Sequence, residues 1–239
     1  MKIGLISDVH GNQPALTTVL SDMPAVDQIY HLGDIVGYNP FPGEVLRTFE
    51  KRGIRSIQGN HDRNIGGDID AIGSAPEPDT EDSNTTVRPS DIARAAGKWT
   101  VRRLTDEQRR YISTLPEERT LRGGIVKLVH GKPGEQDGRL YPDEYGPHLF
   151  AGERILAHGH THVQHAERFD EKILANPGSV GQPRDGDPRA AYAVLDLDSN
   201  SVQLHRVAYP IEEVTDAIRQ TSIPDELCSW LERGEIVTE

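Results

Sequence analysis

Short apolar runs alternate with amphipathic helical patterns at the start of the chain. The apolar run at residues 2–6 predicts a buried strand. A polar stretch follows, and Pro14 then predicts the first turn of a helix, a position where proline is favoured. Ala15, Leu16 and Val19 would form the buried face of this helix. The alternation continues with a strand at residues 27–32, a helix at 43–52 that ends at Gly53, and a strand at 54–57.

Strands that alternate with helices in this way predict a parallel β-sheet. Ligands of such sheets bind at the carboxyl ends of the strands. Polar segments lie at these ends in this sequence, at residues 8–12, 33–37 and 59–63. We therefore expect a functional site at this edge of the sheet.

The middle of the chain lacks hydrophobic periodicity. Residues 65–89 are rich in Gly, Asp, Glu, Pro, Ser and Thr, which is typical of a long loop or lid.

Thr105 and Gln108 match a capping box. No internal repeat or linker divides the sequence, so we expect one domain over residues 1–239 with a lid or loop insertion at about 65–89. Further elements are helices at 90–104 and 105–115, strands at 125–129, 154–157, 163–169, 190–197 and 202–208, and helices at 211–221 and 224–233.

The chain of 239 residues has a formal net charge of −12, with 35% hydrophobic and 5% aromatic residues. The apolar content allows a core, and the negative charge argues against extended nucleic acid as a partner. No run approaches the roughly 20 apolar residues that span a bilayer, and no signal-peptide pattern is present. Because the single cysteine, Cys228, also agrees with a reducing compartment, we expect a cytoplasmic protein without membrane contact. The sequence does not predict its oligomeric state.

Five polar motifs follow apolar strands and contain residue types that coordinate metals. Histidine and carboxylate ligands together are typical of transition-metal sites, whereas Mg²⁺ and Ca²⁺ sites consist mainly of oxygen ligands. In extended segments, residues two apart project to the same side, so each Asp-x-His or His-x-His pair can reach a shared centre. The motifs are Asp8-Val9-His10, Gly33-Asp34, Gly59-Asn60-His61-Asp62, His130-Gly131 and His158-Gly159-His160-Thr161-His162.

Each motif alone also has a structural interpretation. Single Asp-x-His or Gly-Asp motifs are common in loops, and one histidine at a strand end is more often a hydrogen-bonded core residue than a ligand. In this order, and with each motif at a strand end, the set favours a metal site.

With all five motifs present, the sequence resembles the calcineurin-like metallophosphoesterases, whose pattern is D-x-H, GD, GNH(D/E), a further His and GHxH. The resemblance extends from residue 1 to about residue 208, and residues 33–40 and 176–180 are similar to the small bacterial and archaeal phosphodiesterase branch. It implies an α/β fold, a four-layer αββα sandwich with two mixed β-sheets flanked by helices. It also implies two metal sites, one formed by Asp8, His10, Asp34 and His162 and the other by Asp34, Asn60, His130 and His160.

The resemblance further implies a metal-dependent phosphoesterase, a hydrolase of the phosphodiesterase type that acts on a small phosphate ester. Two divalent transition-metal ions, with Mn favoured and Fe, Zn, Ni or Co also suited, would activate a bridging hydroxide for attack on phosphorus. His61 would protonate the leaving oxygen, and Asp62 would orient His61. Two divalent ions exceed the charge of two ligand carboxylates, so this centre would attract phosphate even on an acidic protein.

Four residues near the motifs are candidates for substrate binding: Tyr38, Asn39, Arg63 and Arg184. A tight turn containing Asn-Pro and ordinary surface arginines are the alternative interpretation. Two other histidines, His31 and His158, are either hydrogen-bond partners of the ligands or packed core residues.

Two other functions compete with this hypothesis. Some members of the superfamily are non-catalytic scaffolds, but these lack part of the motif set, notably the histidine that corresponds to His61. The second is a DNA exonuclease of the same superfamily. Such chains usually carry a DNA-binding capping domain, which the acidic segment at residues 68–82 does not resemble.

Overall fold

A computed structural model describes residues 1–67 and 88–237 of the chain. Most of the predicted lid at 65–89 lies outside these residues. The strands of the described ranges are β1 (Lys2–Ile6), β2 (Gln28–His31), β3 (Arg55–Ser56), β4 (Glu118–Leu121), β5 (Val126–Val129), β6 (Ile155–Ala157), β7 (His165–Phe169), β8 (Lys172–Asn176), β9 (Ala190–Asp196) and β10 (Ser201–Val207).

These strands form two mixed five-stranded sheets. The first has the order β10-β9-β1-β2-β3, in which β1, β2 and β3 are parallel and β9 is antiparallel to both of its neighbours. The second has the order β4-β5-β6-β8-β7, with a parallel centre of β5, β6 and β8 between two antiparallel edge strands. The predicted parallel sheet is thus one half of a larger mixed sheet.

Local signals in the sequence set the ends of several helices. The side chain of Asn12 accepts a hydrogen bond from the amide of Ala15 and begins the first helix. Gly53, in the left-handed conformation, ends the second. Thr105 and Gln108 form the predicted capping box. The helices are α1 (Gln13–Asp22), α2 (Pro42–Arg52), α3 (Asn60–Gly66), α4 (Pro89–Arg103), α5 (Asp106–Ser113), α6 (Ile211–Ile218) and α7 (Glu226–Arg233).

The core is divided into layers by the alternation of side chains along the strands. Leu5 of β1 and Leu128 of β5 are buried in a cluster between the two sheets. Ile6 of β1 points the other way and belongs to a cluster that includes α1, α2, α6 and α7. The outer face of the second sheet is covered by residues 140–150, which contain the 3₁₀ helices Pro142–Glu144 and Pro147–Leu149. The predicted four-layer fold of two mixed sheets flanked by helices is confirmed.

Three elements differ from the prediction. The edge strand β4 is missing from it because its sequence, Glu-Arg-Thr-Leu, is short and largely polar, and its residues are only partly buried or exposed. Strand β8 (Lys172–Asn176) is also absent from the prediction. Helix α3 occupies residues 60–66, where the sequence was read as a polar motif followed by the start of the lid, because seven residues are too few to show a helical hydrophobic period.

Among the residues that the structure describes, no helix combines the length and the hydropathy needed to cross a lipid bilayer.

Candidate metal centre

Loops from both sheets meet at one edge of the sandwich. In the first sheet, Asp8 and His10 follow β1, Asp34 follows β2, and Asn60 begins α3 after β3. In the second sheet, His130 follows β5, and His160 and His162 follow β6. All seven predicted ligands are therefore brought to the same place, and their role as ligands stays a prediction.

One cluster of possible ligand atoms contains Asp8, His10 and His162. The Nε2 atoms of His10 and His162 lie 3.1 Å apart. Asp8 Oδ1 lies 3.3 Å from His162 Nε2 and 3.8 Å from His10 Nε2. This oxygen is buried and has no hydrogen-bond partner within residues 1–67 and 88–237. A buried carboxylate oxygen without a partner is costly, and a cation held between these three groups would satisfy it.

A second cluster contains Asp34, His130 and His160, with Asn60 beside them. His130 Nε2 lies 3.1 Å from Asn60 Oδ1, 3.2 Å from His160 Nδ1 and 3.4 Å from Asp34 Oδ2. Asp34 Oδ2 also lies 3.7 Å from Nε2 of His10, which belongs to the first cluster. One carboxylate is therefore shared between the two clusters.

Backbone carbonyls set the orientation of three of the imidazoles. Nδ1 of His10 lies 3.3 Å from the carbonyl oxygen of Val36, and Nδ1 of His130 lies 2.7 Å from that of Leu32. Nδ1 of His162 lies 2.5 Å from the carbonyl oxygen of Gln182. Because a carbonyl only accepts, Nδ1 carries a hydrogen in each case, and Nε2 is the ring nitrogen that can coordinate a cation in the cluster.

The third of these contacts involves Gln182, a residue that the sequence analysis missed. Gln182 follows the segment at residues 176–180, whose Ser179 hydroxyl donates to the carbonyl oxygen of Asp8. The amide of Gln182 donates in turn to the Ser179 hydroxyl oxygen. The available signal was that Gln182 lies two positions after this segment, which is similar to the phosphodiesterase branch. Residues 179–182 thus support ligands from both sheets.

The prediction that the ligand pairs meet through extended backbone was wrong. Asp8 and His10 have φ of 51° and 48°, and His160 and His162 have φ of 66° and 60°. Asp34 is also left-handed, with φ of 64°. Such conformations cost non-glycine residues of the order of 1–3 kcal/mol each and persist where surrounding contacts enforce them. Here a hydrogen bond joins the loop after β1 to the loop after β2, because the His10 amide donates to the Asp34 carbonyl over 3.0 Å.

Two motif glycines allow the ligand loops to approach closely. A Cβ atom on Gly59 would lie 2.1 Å from Asp34 Oδ1. Gly33 has a φ of +99°, and a Cβ atom there would lie 2.5 Å from His130 Nδ1. Any side chain at either position would displace a predicted ligand.

Asp62 has a different environment from the one predicted. Its carboxylate accepts hydrogen bonds from the amides of Asp34, Ile35, Val36 and Gly59 over 2.8–3.3 Å. Asp62 therefore links the Asp34 loop to the start of α3. The prediction was instead that Asp62 orients His61. The amide of His61 donates instead to Asp34 Oδ1, over 2.8 Å.

Replacing Asp62 with alanine is expected to lower the free energy of unfolding by roughly 2–5 kcal/mol, because buried amides would lose their acceptor. Asp62→Asn keeps one acceptor oxygen and should lose less. Chemical denaturation of the metal-free proteins measures both effects. Equal stability of Asp62→Ala and the wild type would show that the carboxylate does not hold the loop.

The charges of the cluster favour cation binding. Burial lowers the pKa of His10 well below its usual value and that of His160 to about 4, so both are neutral at pH 7. Burial also acts to lower the pKa of His130. The Asp34 and Asp8 carboxylates outweigh it and raise this pKa to about 9 in the metal-free protein. The two carboxylates therefore attract positive charge, which a proton on His130 supplies when no cation does.

Metal affinity is expected to fall as the pH drops below about 9, where His130 takes up a proton, and to fall further near pH 4, where His160 also takes one up. His130, with a pKa of about 9, is protonated at pH 7 in the metal-free state and must release this proton to coordinate a metal. Calorimetric titration with Mn²⁺ in buffers of different ionisation enthalpy should show proton release at pH 7. Undiminished metal content at about pH 5 would contradict this expectation.

The four predicted substrate contacts lie in different environments. Asn39 is fully buried and donates to the Gly181 carbonyl over 3.3 Å, and the Arg63 guanidinium binds both oxygens of Asp137 at 2.8 Å. Both side chains therefore have partners within the protein, and their role as substrate contacts stays a prediction. Tyr38 is nearly buried, with its ring 4.9 Å from that of His61. Arg184 is half-buried beside Tyr38.

The two histidines beside the motifs are buried and hydrogen-bonded. His31 Nδ1 lies 2.7 Å from the Ser56 hydroxyl, which ties β2 to β3. His158 Nε2 lies 2.6 Å from the Tyr145 hydroxyl, and its Nδ1 lies 3.2 Å from the Gly159 carbonyl. Both are packed residues, and His158 also supports the loop that carries His160.

Comparison with known proteins agrees with this geometry. A sequence model of the calcineurin-like phosphoesterase superfamily domain matches residues 1–200. The crystal structure of a metallophosphoesterase from Sphaerobacter thermophilus is similar, with a TM-score of 0.81 and 33% identity over 98% of this chain and 99% of that one. An uncharacterized protein from Methanocaldococcus jannaschii is 30% identical over 250 residues, 96% of this chain and 95% of the relative. Phosphodiesterase YfcE of Escherichia coli is 43% identical over 65 residues, 27% of this chain and 34% of its own length. The chain therefore belongs to the calcineurin-like phosphoesterase superfamily.

Proposed function

We propose that this protein is a phosphodiesterase that uses two divalent transition-metal ions to hydrolyse a small phosphate ester. The observation that carries the proposal is the shared carboxylate of Asp34, with Oδ2 3.4 Å from His130 Nε2 and 3.7 Å from His10 Nε2. A carboxylate in this position can serve two ions at once. Asp8, His10, Asp34 and His162 would hold one ion, and Asp34, Asn60, His130 and His160 the other.

The side chains present fit such ions. Imidazole nitrogens with carboxylate and amide oxygens suit Mn, Fe, Zn, Ni or Co, and we favour Mn. The buried Asp8 Oδ1 without a hydrogen-bond partner supports a cation in the first cluster. Once bound, the ions would supply an activated water molecule and neutralise the charge of the phosphoryl oxygens. Two bound divalent ions would exceed the charge of the two ligand carboxylates. The centre would then be positively charged and would attract an anionic ester.

His61 is the general acid in this proposal. Its ring lies 4.8 Å from that of His10, and its amide is fixed by Asp34, so the imidazole stands at the edge of the cluster. Burial and the positive charge of Arg184 lower its pKa in the substrate-free protein. A bound phosphate anion would raise this pKa again, because an opposite charge favours the imidazolium. His61 would then hold the proton that the leaving oxygen requires.

The diester preference is supported by the similarity of 65 residues to an E. coli phosphodiesterase. That similarity covers 27% of this chain, so the preference requires a direct assay. The scaffold and exonuclease alternatives make different predictions. A scaffold would not hydrolyse esters, and an exonuclease would bind DNA with an affinity that falls as salt rises.

The test combines metal analysis with parallel activity assays. The protein is stripped with a chelator and reloaded separately with Mn, Fe, Zn, Ni or Co. Bis(p-nitrophenyl) phosphate and p-nitrophenyl phosphate then serve as diester and monoester. We expect binding of about two ions per chain and faster hydrolysis of the diester. A metal-free, inactive protein would favour the scaffold, and faster monoester cleavage would refute the diester preference.

A further inference from the structure

Arg184 lies beside the candidate metal centre. Its amide donates to the carbonyl oxygen of His162 over 3.3 Å, so its backbone adjoins a predicted ligand. Its guanidinium carbon lies 5.5 Å from the centre of the Tyr38 ring. The His61 ring also lies 4.9 Å from the Tyr38 ring. The guanidinium and the His61 imidazole therefore both adjoin the Tyr38 ring.

The guanidinium of Arg184 has unused hydrogen-bonding capacity. Nη2 donates to Gln182 Oε1 over 2.7 Å, but Nε is buried and has no hydrogen-bond partner among the residues that the structure describes. The carboxylates of the same loop are paired elsewhere, Asp185 with Arg206 and Asp187 with Arg189. No carboxylate within the described parts of the chain forms an ion pair with Arg184.

This arrangement is costly unless an anion completes it. A buried donor without a partner costs about 1–3 kcal/mol, and more when the group is charged. The fork of an arginine side chain matches two oxygens of a phosphate or carboxylate. Arg184 has no ion-pair partner in the described ranges, although the carboxylates of its loop are paired with other arginines. It also lies beside a candidate cation-binding cluster. These features fit an anionic ligand that contacts both Arg184 and the cluster.

The loop that carries Arg184 is held by the two residues that follow this arginine. Asp185 accepts a hydrogen bond from the Gln164 amide over 2.9 Å, besides its ion pair with Arg206. The amide of Gly186 donates to the carbonyl oxygen of Gly234 over 2.9 Å. A side chain on a fixed loop loses less conformational entropy when it binds a ligand, which favours affinity.

We propose that Arg184 binds the non-bridging phosphoryl oxygens of the substrate through its free N–H groups, near Tyr38 and His61 at the metal centre. This inference rests on the proposed function and adds a phosphate-binding residue to it. Arg184 contributes affinity for the anion, and the ions and His61 carry out the chemistry. A lysine cannot replace it fully, because an ammonium lacks the planar fork.

The test compares Arg184→Gln, Arg184→Lys and the matched control Arg189→Gln. The control removes the same charge from the same loop, but its guanidinium is already bound to Asp187. Two readouts are used on the metal-loaded proteins: steady-state kinetics with bis(p-nitrophenyl) phosphate, and calorimetric affinity for inorganic phosphate. Metal content and melting temperature are measured in parallel.

We expect Arg184→Gln to lower kcat/KM by about 10- to 100-fold, mainly through KM, and to weaken phosphate binding by a similar factor. Arg184→Lys should lie between this variant and the wild type, and Arg189→Gln should match the wild type. Unchanged KM and phosphate affinity in Arg184→Gln would overturn the inference while leaving the proposed function standing. Loss of bound metal in both Arg184 variants would also overturn it, because the role would then be structural. A wild type that binds phosphate but cleaves no ester would refute the proposed function instead.

Discussion

Asp34→Asn is expected to abolish hydrolysis and to weaken metal binding by at least about 100-fold. The variant replaces the one carboxylate shared by both clusters with a neutral amide of the same shape. Asparagine can still accept the hydrogen bond that the His61 amide donates to Asp34 Oδ1, so the loop should keep its conformation. The loss would therefore report the missing charge and ligand. Calorimetric titration of the metal-free protein with Mn²⁺ and the diester assay measure the two effects.

Asp106→Asn is the matched control, because this carboxylate is exposed and lies on α5. A second readout needs no metal. Since Asp34 is the main group that raises the pKa of His130 to about 9, that pKa should fall in Asp34→Asn when followed by NMR. Retention of two tightly bound ions by Asp34→Asn would refute the shared-carboxylate arrangement.

His61→Ala is expected to lower kcat by about 10² to 10⁴ while the bound metal is retained. The reason is that His61 stands beside the ligands and is proposed to donate a proton to the leaving oxygen. A leaving group of low pKa needs less protonation, so the loss should be smaller with p-nitrophenyl esters than with alkyl esters. Rates with both ester types, together with metal content, separate the acid role from a ligand role.

His148→Ala is the control for this variant, because His148 is an exposed histidine on a 3₁₀ helix. Normal turnover of His61→Ala on alkyl esters would remove His61 from the mechanism. Loss of one ion per chain would instead make His61 a ligand, an alternative that its place in a cluster with His10 and Asp34 allows.

Much of the fold was predictable because its signals are local. Helix α2 has proline in its first turn and a left-handed glycine at its end, and both are properties of a few neighbouring residues. The alternation of strands and helices likewise predicted the parallel part of the first sheet. Strand β4 was missed because its pairing with β5, and not its own sequence, makes it a strand.

The candidate site likewise has features that the sequence determines and features that it does not. The sequence by itself determined which residue types were available as ligands, and that each followed a strand. Only the tertiary structure decided how they meet: His10 and His162 are 152 positions apart, yet their Nε2 atoms lie 3.1 Å from each other. It also decided that Asp62 binds four amides and that Arg184 has no carboxylate partner in the described ranges. Residue chemistry is a local property, whereas left-handed backbone, hydrogen-bond partners and unpaired charges depend on which distant segments pack together.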